Sequence, residues 1–217
     1  MTTQGDGLLA IWSTVAADFE TDYLHWLTRE HVFERVGISG FLSGTVYRRR
    51  DSSPSEFLIL YALEHASVMS SDAYRARLDA PTPWTQRVMP QLQQFRRGGG
   101  TVQMRAGHAY ATGGRLAVAR FDTACPALSP DLLDRVAALD RVTQVRLMTV
   151  ASDATSISTR EKSMRSSSSE GAFAGILAID ALDDTARDHA AAALAEALSE
   201  TRFEYYDPVF IFARPHA

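Results

Sequence analysis

The chain has 217 residues, 46% of them hydrophobic, which is enough to bury one large core or two cores of about a hundred residues each. Its 22 lysines and arginines against 26 aspartates and glutamates leave a net charge of -4, and this excludes the basic footprint of a nucleic-acid or anionic-membrane binder. The single cysteine, Cys125, excludes an intramolecular disulfide and a cysteine-built zinc cluster.

Leu8 to Val15 is apolar, rich in strand formers and bounded by Gly7 and Asp18, which predicts a first strand. Asp22 to Val36 reads as an amphipathic helix. On a wheel of 100° per residue, Leu24, Leu27, Tyr23, Trp26 and Phe33 share an arc, His31 lies on its border and His25 turns towards the charged side. Gly37 to Gly40 is a turn, Phe41 to Tyr47 a second strand, and Phe57 to Glu64 a third, hairpinned to the second across Arg48 to Ser55. Ser70-Ser71-Asp72 is a helix start, because a hydroxyl or carboxylate there can accept the free amides of the first turn. Pro81 and Pro83 interrupt that helix, and Trp84 to Phe95 is predicted as a second helical piece kinked at Pro90. Gly98-Gly99-Gly100 reads as a flexible turn without the Lys-Ser/Thr of a phosphate loop, and Thr101 to Arg105 as a fourth strand.

The second half follows the same plan. Leu116 to Phe121 is a strand, Ser129 to Leu139 a helix with Ser at its cap and Pro at its first position, and Val145 to Val150 a strand. Ser152 to Gly171, with the run Ser166 to Ser169, is a polar hairpin connection. Phe173 to Asp180 is a strand, Asp183 to Leu198 an alanine-rich helix, and Phe203 to Phe212 a closing strand with Pro208 at a bulge or edge. The predicted fold is α+β: two fused ferredoxin-like β-α-β-β-α-β units, residues 1–110 and 111–217, with antiparallel sheets packed face to face as a pseudo-dimeric α+β barrel. Packing two such units in one chain removes the need for the usual dimer of single units, and a homodimer of the fused chain is left open.

Tyr23, Trp26 and His31 before the Gly-flanked Phe41 strand, then Phe57-Leu58-Ile59-Leu60-Tyr61 and Ser71-x-x-Tyr74, resemble the dimeric α+β barrel superfamily and, within it, EthD-like proteins. The resemblance spans Leu9 to Arg105, about half the chain. Relatives in that superfamily include isomerases, polyketide cyclases, decarboxylases or dehydratases of aromatic polyketides, cofactorless oxygenases and haem enzymes. The resemblance implies a histidine acid or base, and His31 is the position that matches; the predicted helix of the second half, Pro130 to Val142, carries no histidine, so one site per chain is expected.

Acid-base chemistry on a carbonyl compound needs a proton carrier, a donor for the enolate oxygen and apolar walls. His31 supplies the carrier and Tyr61 the donor, with Tyr47 and Tyr74 as second choices, and Trp26, Phe33, Phe41 and Trp84 as walls for a flat ligand. Against each stands the ordinary role of a Tyr or Trp as core. His25, His31, His65, His108, His189 and His216 contain no pair at metal-binding spacing with a nearby acid, Cys125 lies before Pro126 without an elbow motif, and there is no haem-attachment motif. The expected function is a cofactor-independent lyase, isomerase or cyclase of secondary metabolism, acting on a small aromatic or polyketide-like carbonyl compound. The alternatives are a non-catalytic carrier of a hydrophobic metabolite and a cofactorless monooxygenase. Neither metal nor cofactor is expected. Met1 to Gly7 lacks the basic start of a leader and no run approaches the ~18 apolar residues of a membrane span, which predicts a soluble, cytoplasmic protein.

Overall fold

The computed structural model describes residues 5–109, 111–151, 159–165, 173–198 and 201–214. Its strands are β1 (Gly7–Val15), β2 (Phe41–Arg49), β3 (Ser55–Leu63), β4 (Gln93–Gly107), β5 (Arg115–Phe121), β6 (Val142–Val150), β7 (Gly175–Ala181) and β8 (Glu204–Ala213). Their hydrogen-bonded order is β1-β3-β2-β8-β5-β7-β6-β4, an eight-stranded barrel, in a mixed α+β fold. By contact the chain divides into two units, Met1–Thr101 with Ala151–Ala172 and Val209–Ala217, and Val102–Val150 with Phe173–Pro208. No helix among the described residues is long and apolar enough to cross a membrane.

In the first unit β4, β1, β3 and β2 lie side by side, each pair antiparallel. Alternation sends Leu9, Ile11 and Val15 of β1 and Phe57, Ile59, Tyr61 and Leu63 of β3 to the face that packs against the helices. The helical elements are α1 (Glu20–Trp26), a π turn (Leu27–His31), α2 (Val32–Val36), α3 (Asp72–Asp79) and α4 (Pro83–Val88). Their buried faces bring Tyr23, Trp26, Leu27, Val32, Val36, Tyr74, Val88 and Met89 onto that sheet. Ser71 caps α3 by accepting from the Tyr74 amide at 3.2 Å, as its place at a helix start predicts, and Thr82 caps α4 by accepting from the Thr85 amide at 3.0 Å.

Two expectations fail at the end of this unit. The helical piece predicted to reach Phe95 stops at Val88, gives one 3-10 turn at Met89–Gln91 and becomes strand at Gln93. Gly98 to Gly100 is then no turn: it is paired strand, opposite Ala10, Leu9 and Leu8 of β1. A Cβ on Gly99 would stand 2.1 Å from the Met69 sulfur, so the glycine admits a buried side chain above the sheet.

In the second unit β8, β5, β7 and β6 lie side by side in antiparallel pairs. Helix α5 (Pro130–Ala137) is capped by Ser129, which accepts from the Leu132 amide at 3.2 Å. The last helix of this unit (Asp184–Ala195) is capped by Asp183, which accepts from the Ala186 amide at 3.0 Å. Leu133, Val136, Ala190, Ala191 and Leu194 of these helices meet Ala117, Ala119, Val145, Leu147, Leu177 and Ile179 in one core. Asp180 is buried and accepts from Arg146 at 2.6 Å; burial pushes its carboxyl up and Arg146 opposes that rise.

The predicted connection Ser152 to Gly171 holds one described element, α6 (Arg160–Ser163), which contacts α3 of the first unit; the Asp184–Ala195 helix is therefore α7. Ser166 to Ser169, and His216 near the end of the chain, lie outside the described residues.

Candidate active site

The helix that carries His31 is not uniform. The Val32 amide donates to the carbonyl of Leu27, five residues back, and the Thr28 hydroxyl donates to the Leu24 carbonyl at 2.7 Å. Such a π turn takes in one extra residue, so every residue after it turns about 100° from where a uniform helix would put it. Three side chains register the change. His31 moves from the border of the apolar arc to 3% exposure, Arg35 is drawn inward to the same 3%, and Phe33, predicted beside Trp26, turns out to 39%.

Between these helices and the sheet lies a cavity of about 40 Å³, lined in part by Ser13, Trp26, His31, Arg35, Tyr61 and Tyr74. That volume is space for about three waters, so a bound ring has to displace side chains at the cavity's edge. The His31 ring lies against Trp26, centroids 4.0 Å apart and planes 31° apart. Trp26 is in turn fixed by its indole N–H, which donates to Thr85 at 3.1 Å. Burial, reinforced by the Arg35 guanidinium, holds the imidazole of His31 well below its ordinary titration range, so it is neutral near pH 7.

Arg35 and Glu161 of α6 form a buried ion pair. Burial, the largest single influence, would lower the Arg35 pKa, but Glu161 together with Tyr74 and Tyr61 turns the net shift upward, so the guanidinium stays charged. Tyr61 is fully buried; burial pushes its hydroxyl well above the usual phenol range and Arg35 partly offsets this. The Tyr23 hydroxyl is bonded to Ser13 at 2.8 Å, and the Tyr74 hydroxyl accepts from Arg97 at 3.1 Å. By contrast, His31 Nδ1, Arg35 Nη1 and Tyr61 Oη are all buried without a hydrogen-bond partner. An unpaired buried polar group costs about 1–3 kcal/mol, which makes three on one cavity wall informative.

Four of the residues singled out in the sequence, His31, Tyr61, Trp26 and Tyr74, share this cavity, and four lie elsewhere. Phe33 stands edge-on to Phe210 and Phe212 at 5.8 and 4.5 Å. Phe41 is fully buried behind the site, with Tyr61 and Tyr74 at 5.6 and 5.4 Å. Tyr47 is even-phased with Leu58 across the β2–β3 ladder, off the face that Tyr61 and Ile59 share, and Trp84 turns its indole N–H to Asp22 at 3.2 Å. Sequence reasoning missed Arg35 and Glu161. Arg35 could be found only by recognising the π turn, and Glu161 lies in a polar stretch with no periodic signal. Gly44, opposite Tyr61 on β2, is the partner of that ring: a Cβ there would stand 2.8 Å from it. His65, His108 and His189 are exposed, and no group of three or more His, Cys, Asp or Glu among the described residues could hold a metal ion.

No protein-family model matches the sequence, and no curated protein matches it. Solved structures do match along nearly the whole chain. A candidate monooxygenase from Fusobacterium nucleatum superposes with a TM-score of 0.58 at 12% identity, covering 98% of this chain and 97% of that one. An anthrone oxidase-like protein gives 0.55 at 12% identity, with 100% and 97% covered. A candidate monooxygenase from Lactobacillus acidophilus gives 0.51 at 8% identity, with 96% of each chain covered. At such identities the likeness carries the fold alone, a mixed α+β fold built on an eight-stranded barrel.

Proposed function

We propose that the His31 cavity is an acid-base site that ionises a small enolisable or phenolic aromatic compound without a cofactor. The supporting observation is the set of orphaned polar atoms, His31 Nδ1, Arg35 Nη1 and Tyr61 Oη, on a lining that also presents the apolar surfaces of Ile11, Trp26 and Ile59. In the first step a substrate C–H or O–H bond breaks, the proton passes to the neutral imidazole, and the electron pair stays on the substrate as an enolate or phenolate. Arg35 and Tyr61 then donate to the oxygen that carries the charge, taking the place of the waters that a bound ring displaces. Glu161 keeps Arg35 in place and limits the net charge of the wall.

Two fates of the anion are consistent with this chemistry. Reprotonation at another atom gives isomerisation, cyclisation or loss of water. Oxygenation is the second reading, favoured by the names of the structural neighbours: a substrate CH₂ and dioxygen give a carbonyl and water, the substrate anion supplying the electrons. Membership of the EthD-like branch rests on Tyr23, Trp26 and His31 and is part of the same proposal. So is the duplicated ferredoxin-like plan, which the matching strand orders β4-β1-β3-β2 and β8-β5-β7-β6 support.

The test is solvent deuterium exchange at the acidic C–H of a panel of small aromatic ketones and diketones, followed by NMR under argon and then under air. The expected result is exchange by the wild type that falls by about a hundredfold or more in His31→Gln and in Tyr61→Phe. Tyr61→Phe removes a hydroxyl that has no partner, so its thermal stability is expected to stay level or rise. Oxygen uptake under air selects the oxygenase reading. Ligand binding without exchange in the wild type would sink the acid-base proposal in favour of a carrier protein.

A further inference from the structure

Proton abstraction leaves a positive charge on the base, and burial and the Arg35 guanidinium, one turn on in α2, both disfavour it at His31. The other titratable or charged groups of the lining are Tyr23 of α1, Tyr61 of β3, Tyr74 and Arg75 of α3, Arg97 of β4, and Glu161, Lys162 and Arg165 of α6 and the residues just after it. Glu161, the carboxylate among them, is bonded to Arg35. Helix α4 adds no charge to the lining; its Arg87 pairs with Asp22 at 3.6 Å. What lies directly against the imidazole is the indole of Trp26, ring centres 4.0 Å apart. The π turn makes that contact. Residues five apart stand about 140° from each other on a uniform α-helix, and the extra residue taken in reduces this to about 40°, so Trp26 and His31 share a face.

The indole is also polarised from its far edge. Its N–H can only donate and a carboxylate can only accept, which fixes the hydroxyl of Thr85 between them. That hydroxyl accepts from Trp26 Nε1 at 3.1 Å and turns its hydrogen to Glu30, at a longer 3.4 Å. Glu30 is itself held by the Thr82 hydroxyl at 2.6 Å. Trp26 and Thr85 are both buried, so water does not compete for the N–H. An indole that donates towards a carboxylate has a ring face richer in electrons, and such a face attracts a cation.

We propose that Trp26 is the charge partner of the base: its indole face, held by Thr85 and polarised towards Glu30, supports the imidazolium that His31 becomes on taking the substrate proton. Thr85 and Glu30 are then positioning residues that act through Trp26. This rests on the reading of His31 as the proton acceptor. The proton ends on the imidazole and the electron pair on the substrate, so the two new charges are served by different groups, the anion by Arg35 and Tyr61 and the cation by Trp26.

The experiment follows the C2 proton of His31 by NMR as the pH is lowered, without substrate, in the wild type, Trp26→Phe, Thr85→Val, Thr85→Ser and Glu30→Gln, and then the deuterium-exchange kinetics of the same proteins. The imidazole is expected to take up its proton at a pH lower by about half a unit or more in Trp26→Phe and in Thr85→Val, lower also in Glu30→Gln, and at the wild-type pH in Thr85→Ser, which restores the hydroxyl. In the three affected variants kcat for exchange is expected to fall about twofold or more with KM level, and the acid limb of the pH profile to move the same way. A titration that stays put in Trp26→Phe or in Thr85→Val overturns the proposal. So does a drop in Glu30→Gln without one in Thr85→Val, because Glu30 would then act through space, and so does a wild-type imidazole that takes up no proton before the protein unfolds. Glu30→Gln keeps the shape of the network, so with Trp26→Phe it decides the matter if Thr85→Val does not fold. The expected titrations together with no deuterium exchange by the wild type would keep the pairing of Trp26 with His31 and remove the proton-transfer reading.

Discussion

Burial, helped by Arg35, holds the His31 imidazole neutral to well below its ordinary range, and that has consequences for stability and for rate. In the unfolded chain a histidine takes up its proton near pH ~6.5, whereas the folded one does so only at lower pH. Between those two values the unfolded chain binds more protons, so His31 makes the fold lose stability as pH falls below about 6.5, by up to about 1.4 kcal/mol per pH unit, and has no such effect above it. Urea unfolding of the wild type and of His31→Gln near pH 5 and near pH 7.5 isolates this contribution, because the carboxylates and the other histidines are common to both. The wild type is expected to lose more stability on acidification than the variant. The same depressed pKa predicts that the acid limb of deuterium exchange lies below pH ~6.5, since the base stays unprotonated until then. Parallel pH profiles for the two proteins would mean that His31 titrates like a solvated histidine.

The helix that holds His31 also separates what could be read from sequence from what could not. Strands and caps were legible because their signals are local: continuous apolar runs rich in strand formers for β1 and β3, and Ser71, Ser129 and Asp183 ahead of their helices. The π turn was not, because a wheel assumes one angle throughout, and this hid Arg35 and misplaced Phe33. The Gly98 to Gly100 strand was missed because its stability comes from pairing with β1 and room for Met69, both set by residues far away in sequence. Since the π turn accommodates one residue beyond the α period, deleting Thr28 within it leaves Arg35 and Trp26 on their present faces. That deletion is expected to melt within a few degrees of the wild type. Deleting Glu34, beyond the turn, rotates Arg35 by about 100° away from Glu161 and leaves a buried carboxylate unpaired, a cost of about 3–5 kcal/mol and a melting point lower by ~10 °C. Equal losses in the two deletions, followed by circular dichroism, would show that the phase of this helix does not place Arg35.

The two units share an order of strands but not a chemistry, and this decides how many ligands one chain should take. In the first unit the sheet face under the helices presents Ser13 and Tyr61 beside its apolar residues, and α1, the π turn and α2 add His31 and Arg35, so a cavity with polar atoms remains. In the second the corresponding layer is closed by small and aliphatic residues, with Ala117 and Ala119 of β5 and Leu177 and Ile179 of β7 against Ala190, Ala191 and Leu194 of α7. Alanines let the helix come close to the sheet, and close approach leaves no room for a ring. Nor does α5 bring a proton carrier into that layer: Pro130 to Ala137 contains no histidine or tyrosine, and its two carboxylates, Asp131 and Asp134, are exposed. The buried charges described in that unit are paired, Asp180 with Arg146 and Arg187 with Asp184 and Asp188. One ligand per chain is therefore expected, and titration of the full chain with a small aromatic ketone is expected to saturate at that ratio, with His31→Gln and wild type giving the same stoichiometry. A value of two would place a second aromatic site in the alanine-lined layer, which then would have to open by displacing α7 from its sheet.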